Sequence, residues 1–427
     1  MKHMFSDVRP FARDPLSFLL AKSQSSAESL VPLALGPNRV LLVNDAELLK
    51  PILEAPEEFV DQGRLARKLE SATGRRSRAV DREAHDVHRA SLHEAITRAA
   101  MERLAPELLG EIRRAVFQLM RQSSFDAHIF SAGLALKLIC TVLFGYHVLD
   151  EADEQALVES AGWIEDDFSK ERFRGVPAMP WTKHKIRHKH LIAREVMRTI
   201  LNRISHSAAE SSVFKLLIQA GLSKEYAMED AIKILLDCRC VTGRAIACAM
   251  YYLASNGYIK TIIAREADAC LSFDGDIDHY KLCYATISAA FGSEIFRLLP
   301  RSVLYSMEAR FVRAFGDSCI RPGDLLLVSP WVMHRSVRYW KDPELLDLSR
   351  DFESKAYLPF GVGPRASVDG GLASLGLQLT ILDISAAFEL ELAEAAPSLA
   401  ATAFDPPPIK LRLRIREEEK LYGRSAG

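Results

Sequence analysis

Apolar and polar positions along the chain first predict a β-hairpin. Two short Leu- and β-branched-rich runs, Leu30–Leu35 and Arg39–Val43, flank Gly36-Pro37-Asn38, a turn-forming trio. Helical spacing then dominates from Asp45 to about Leu299. One helical stretch runs from Ala84 to Met120 with a break near Pro106, and another from Phe130 to Phe144. The second is the most apolar stretch, but Ser131 and Lys137 interrupt it, so it predicts a buried core helix rather than a membrane span. The basic segment Lys183–Arg198 continues the helical spacing. Ser223 is a good N-cap, with Glu225 in the first turn, for a long helix through Ala254. Glu294 lies in a further helix that Pro300 ends.

After Pro300 the texture changes. Arg321-Pro322-Gly323-Asp324 is a turn, and Leu325–Ser329 reads as a strand. Gly361–Gly371 is a glycine-rich loop, and Leu372–Leu392 returns to helical spacing. Ile409–Arg416 alternates apolar and basic residues with period two, the mark of a half-exposed strand. The expected fold is mainly α with small β-sheets at the N-terminal edge and near the C-terminus. Regular βαβ alternation is absent, which argues against a Rossmann or barrel fold. No linker composition divides the 427 residues, so one large domain, 1–427, is expected.

Charge and composition narrow the function classes. Lys plus Arg is 55 against 56 Asp plus Glu, for a net charge of −1, so a nucleic-acid binder is not expected. The seven cysteines, at 140, 238, 240, 248, 270, 283 and 319, are scattered and odd in number. That fits free thiols in a reducing cytoplasm rather than a disulfide framework. The N-terminal MKHMFSDVRPFARDP has no apolar run of the kind a signal peptide needs, so a cytoplasmic location is expected.

Several local patterns carry no chemistry. His93-Glu94 opens like a zinc-protease helix, but Thr97 stands where the second ligand is needed. His184 and His188 sit in a basic run that opposes a cation and reads as a solvated face, though it could also meet an acidic redox partner. Cys238 and Cys240 point to different faces of a predicted helix. Gly361-x-Gly363 lacks the Lys or immediate helix start of a phosphate loop. Glu294 and Arg297 stand three apart on one predicted helix face. The same spacing occurs at Glu111–Arg114, Glu171–Arg174 and Glu195–Arg198, where it reads as ordinary surface pairing.

The setting sets the fourth pair apart. It is followed by Leu-Leu-Pro, a strand pair, Asp342-Pro343-Glu344, and then Phe360-Gly-Val-Gly-Pro-Arg365-Ala-Ser367. Over nearly its whole length the chain resembles the cytochrome P450 family, whose haem-ligand loop reads F-G-x-G-x-[HR]-x-C-x-G. Phe360, Gly361, Gly363 and Arg365 match that loop. The resemblance implies that Arg365 pairs with a haem propionate. It also implies that His85 and Arg89, one helical turn apart in Arg82-Glu-Ala-His85-Asp-Val-His-Arg89, reach propionates as well. Glu294, Arg297 and Arg350 fall where the family keeps a structural triad, and His334-Arg335 fits the family's order.

The departures are at the chemistry. Ser367 occupies the ligand-cysteine position, and Asp369 that of the following glycine. A thiolate drives electron density into iron and favours O–O cleavage, whereas a serine hydroxyl is a neutral, weak ligand at pH 7. On the long helix, Cys240 and Val241 occupy the family's acid and alcohol positions, with Asp237 or Thr242 as substitutes if the register slips by a residue. Met307 stands where a further propionate arginine is expected. Three functions follow from the resemblance. One is a soluble, bacterial-type monooxygenase carrying haem b, fed by a ferredoxin-type donor and acting on a small hydrophobic substrate, with activity impaired or altered by Ser367. Another is a catalytically inactive scaffold that partners or activates another enzyme. The third is a haem protein with peroxide-dependent or isomerase chemistry.

Overall fold

A computed structural model describes residues 5–55, 58–61, 96, 103–173, 180–270, 277–315, 318–361, 367, 369–394 and 408–416. In chain order the helices are α1 (Val8–Arg13), α2 (Pro15–Ser25), α3 (Ala46–Leu53), α4 (Ala105–Leu119), α5 (Ala127–Phe144), α6 (Glu151–Phe173), α7 (Pro180–Ser205), α8 (Val213–Gln219), α9 (Lys224–Ser255), α10 (Gly257–Cys270), α11 (Thr286–Leu298), α12 (Pro330–Met333) and α13 (Gly370–Ala387). The strands are β1 (Leu30–Leu33), β2 (Val40–Val43), β3 (Phe59–Asp61), β4 (Phe125–Asp126), β5 (Tyr305–Ala309), β6 (Arg313–Phe315), β7 (Ser318–Ile320), β8 (Leu325–Val328), β9 (Phe388–Leu392) and β10 (Lys410–Ile415). The mainly α architecture with small sheets is the expected one.

The chain forms two compact units. The first comprises Met1–Ala90, Glu159–Met197 and Phe296–Val368. Its centre is a five-stranded sheet of order β1-β2-β8-β5-β3. The expected hairpin is there, with Leu30 opposite Val43 and Leu33 opposite Val40. β8 adds to β2 in parallel and to β5 antiparallel. Leu41, Val43, Leu49, Ile52, Phe59, Met307, Leu326 and Val328 make the core beneath it. Met307 is therefore a buried core residue of β5, in register with Leu326.

The second unit comprises Ser91–Val158, Arg198–Ile295 and Asp369–Gly427, and is built on helices. Ser223 caps α9 as expected, its hydroxyl accepting from the Tyr226 amide at 3.3 Å. α9 lies along α5, and α13 packs on α9, α10 and α4. α5 and α13 are each long and apolar enough to cross a bilayer, but 72% of each is buried inside the protein. The pattern break at Pro106 is a helix start, with the proline in the first turn of α4, where its missing N–H costs nothing. Glu266 of α10 covers the start of α11, its carboxylate accepting from the Ile287 and Ser288 amides at 2.7 and 2.6 Å.

One predicted boundary is wrong. Helical spacing was expected to continue to Leu392, but α13 ends at Ala387 and Phe388–Leu392 is a strand. The segment FELEL alternates with period two and pairs antiparallel with β10, Glu391 opposite Arg412 and Glu389 opposite Arg414. The Arg414 guanidinium reaches Glu391 at 2.9 Å, so opposite charges line the outer face while Leu390 and Leu411 are buried. A tertiary partner further down the chain, β10, decided what local spacing left ambiguous.

α9 approaches α5 closely at Gly243. A Cβ there would lie 3.2 Å from the Ser131 carbonyl oxygen and the Ala132 Cα. Both are backbone atoms and cannot rotate away. Gly243→Ala sets a helix-propensity gain of up to about 1 kcal/mol against that contact. Gly243→Val adds bulk with no compensating space and is expected to lower stability by about 1–3 kcal/mol. The lower urea midpoint at unchanged slope would show it; an unchanged midpoint would refute the close approach.

Candidate functional site

α11 carries both Glu294 and Arg297, and both are fully buried. A buried guanidinium must find acceptors for its donors. Arg297 Nη1 donates to the His334 carbonyl at 2.6 Å and Nη2 to the Leu345 carbonyl at 3.3 Å, with the Trp340 ring 5.4 Å away. Arg350 donates to three carbonyls, Lys341 at 2.6 Å and Asp342 and Leu345 at 2.9 Å. Arg297 and Arg350 thus converge on one carbonyl, that of Leu345. Asp342 holds a left-handed φ of 44°, so two arginines clamp a strained corner. The carboxyl of nearby Asp347 is held below its usual range, chiefly by the Ser349 hydroxyl and amide and further by Arg350 and Arg297.

His334 closes this network from the other side. Its Nε2 accepts from the Leu358 amide at 2.8 Å, which leaves the proton on Nδ1 to be donated to the Arg297 carbonyl, also at 2.8 Å. The ring stacks on Tyr357 at 5.7 Å. Burial pushes its pKa down to about 3, helped by the charges of Arg297 and Arg335, so the imidazole is neutral. In the sequence His334 stands out only by its place in the family's order. Neither its burial nor its two partners leaves a trace in local spacing.

Leu358 leads into the glycine-rich loop. The Pro359 carbonyl accepts from the Arg301 amide at 2.9 Å, and Phe360 packs on Phe296 with ring centroids 4.8 Å apart. Gly361 has φ +77°, a region a side chain would strain, so glycine is required there. Ser367 is buried, and its amide donates to the Phe360 carbonyl at 2.7 Å. The two ends of the loop are therefore tied together by main-chain groups. Arg365, His85 and Arg89 lie outside the described residues.

In the second unit, Cys240, Val241 and Thr242 lie in the middle of α9. The side chains of Cys240 and Asp237 lie outside the described part. Val241 is half-buried and has no proton to give. Thr242 is fully buried, with its hydroxyl 3.4 Å from the Cys238 sulfur one turn back. Neither described side chain supplies the expected acid.

Two outcomes test the network. Arg297→Lys cannot reach both carbonyls and leaves at least one without its donor, a loss of about 1–3 kcal/mol in denaturant unfolding. For His334, the folded pKa lies near 3 against 6.5 unfolded, so the unfolded chain binds the extra proton in between. The stability contributed by neutral His334 is complete above pH 6.5 and is lost as pH falls toward 3. Wild type should therefore lose up to about 1.4 kcal/mol more per pH unit across that window than His334→Gln. Urea midpoints at several pH values measure it, and parallel profiles would contradict the buried neutral ring.

Comparisons with known proteins supply the family. The family model described as Cytochrome P450 matches residues 9–411. Protein LUTEIN DEFICIENT 5, chloroplastic, of Arabidopsis thaliana is 22% identical over 87% of this chain and 68% of its own length. The steroid 17-alpha-hydroxylase/17,20 lyase of Bison bison is 28% identical over 40% of this chain, and cytochrome P450 3A27 of Oncorhynchus mykiss 24% over 39%. These two matches span only 36% and 34% of the relatives' own lengths. With the model match covering nearly all of the sequence, the chain belongs to the cytochrome P450 family.

Proposed function

We propose that the chain is a haem protein in which Ser367 takes the axial position, binding a small hydrophobic molecule and inserting oxygen with impaired or altered efficiency. Haem b is the cofactor of this family. The described residues fit it in frame: a glycine-turned loop closed by the Ser367 amide on the Phe360 carbonyl, with Phe360 against Phe296. Arg365, His85 and Arg89 are the residues we assign to its propionates. When bound, haem supplies the redox centre at which such proteins activate oxygen.

What differs is the donor. The observation that carries the reading is Ser367 itself, closing the loop where the family motif places cysteine; no cysteine follows Cys319 in the sequence. A hydroxyl gives no thiolate push. We extend the proposal to one domain spanning 1–427, a soluble bacterial-type protein in the cytoplasm, and a ferredoxin-type electron donor. The second reading, an inactive scaffold that partners another enzyme, draws on α9. There Val241 carries no hydroxyl, and the hydroxyl of Thr242 lies beside Cys238.

The haem content and the ferrous–CO spectrum of the purified chain test the proposal. Wild type is expected to hold haem and to lack a thiolate-type Soret band, and Ser367→Cys to acquire one. A thiolate-type band in the wild type, or no haem in either protein, would overturn the axial assignment; the latter result would favour the scaffold.

A further inference from the structure

We propose that His334 is the positioning residue that fixes the backbone carrying the axial position, through the bond its Nε2 accepts from the Leu358 amide. This rests on the reading of Ser367 as that position. An amide N–H is a single donor, and Leu358 gives its own to His334 at 2.8 Å. Three residues later the Leu358 carbonyl takes the Gly361 amide at 3.3 Å, starting the glycine turn. The Phe360 carbonyl, between them, takes the Ser367 amide at 2.7 Å. A side chain outside the loop thus holds its first strut at an atom, beside the Arg301 amide on the Pro359 carbonyl and the packing of Phe360 on Phe296.

The imidazole is itself immobilised. Nδ1 donates to the Arg297 carbonyl at 2.8 Å, and the Arg297 guanidinium returns a bond to the His334 carbonyl at 2.6 Å. Tyr357 stacks on the ring and Trp340 meets it edge-on at 6.2 Å. Both nitrogens are used and the ring cannot flip without breaking two bonds. The helix end at Arg297 therefore sets where Leu358 lies, and hence where the loop begins. Arg297 and Arg350 act on the corner around Leu345. Among the described bonds, the link from Arg297 to the loop runs through His334.

Two substitutions separate positioning from general support. In His334→Asn the amide nitrogen replaces Nδ1 and nothing reaches Leu358. In His334→Gln the amide oxygen replaces Nε2 as acceptor. Amide hydrogen exchange on the full chain needs no haem. In wild type the Leu358 amide should be protected, and His334→Asn should speed its exchange by about ten-fold or more while His334→Gln leaves it near wild type. Then, in the Ser367→Cys background, His334→Asn should reduce the thiolate-type fraction of the ferrous–CO band and His334→Gln should retain it.

An unprotected Leu358 amide in wild type overturns the bond and needs no variant to fold. Equal acceleration in both variants across the whole unit makes His334 merely structural and overturns the positioning role. So does faster exchange at Leu358 with an unaltered band. If neither wild type nor Ser367→Cys takes up haem, the axial reading fails, and with it the positioning role toward that site.

Discussion

The network described in the first unit turns on one constraint: a guanidinium with no exposure to water must be solvated by protein. Arg297 meets that demand with main-chain carbonyls, which exist at every residue but are seldom presented to the interior. Presenting them requires the segment around Lys341–Leu345 to turn back on itself. Arg350 holds that turn by taking three further carbonyls. The buried charge therefore acts less as an attraction than as a specification. A backbone that brings His334 and Leu345 to the end of α11 supplies two of the acceptors it needs.

His334 converts that specification into a position. Its neutral ring reads the carbonyl of Arg297 on one side and the amide of Leu358 on the other. A protonated ring would lose the acceptor and would stand between two arginines, so charge and geometry favour the same state. The loop that follows is then completed by the glycine turn at Gly361 and the Ser367 amide.

The sequence made the mainly α fold, the β1–β2 hairpin, the Ser223 cap and the loop's place legible, because those follow from local periodicity and turn chemistry. It made the strand at Phe388–Leu392 ambiguous, because five alternating residues directly after an apolar helix are too few to outweigh its spacing until β10 pairs with them. Glu294 and Arg297 illustrate the sharper limit. Their spacing is identical to that of Glu111 and Arg114, where the arginine is partly exposed. Spacing reports which residues share a face; it does not report how far that face is from water. Motif order supplied the distinction for the triad, and nothing local supplied it for the bonds of His334. In the Cys240–Thr242 stretch the valine can be read from sequence, whereas the contact of the Thr242 hydroxyl with the Cys238 sulfur is seen only in the structure.

The same accounting explains how fold and chemistry can part at Ser367. The bonds that shape the loop's ends are made by the amide of residue 367 and the carbonyl of residue 360. Serine and cysteine present the same amide, and their side chains differ by one atom at a buried position. Replacing oxygen with sulfur there changes little that folding measures. It changes a great deal that a metal measures, because a thiol reaches its anion near neutral pH and an alkyl hydroxyl does not. A frame specified by main-chain groups and a buried arginine can therefore persist whatever becomes of the donor. The corollary is a division of labour: residue 367 alone decides which donor atom the loop presents, while Arg297 and His334 decide how firmly the frame around it is held.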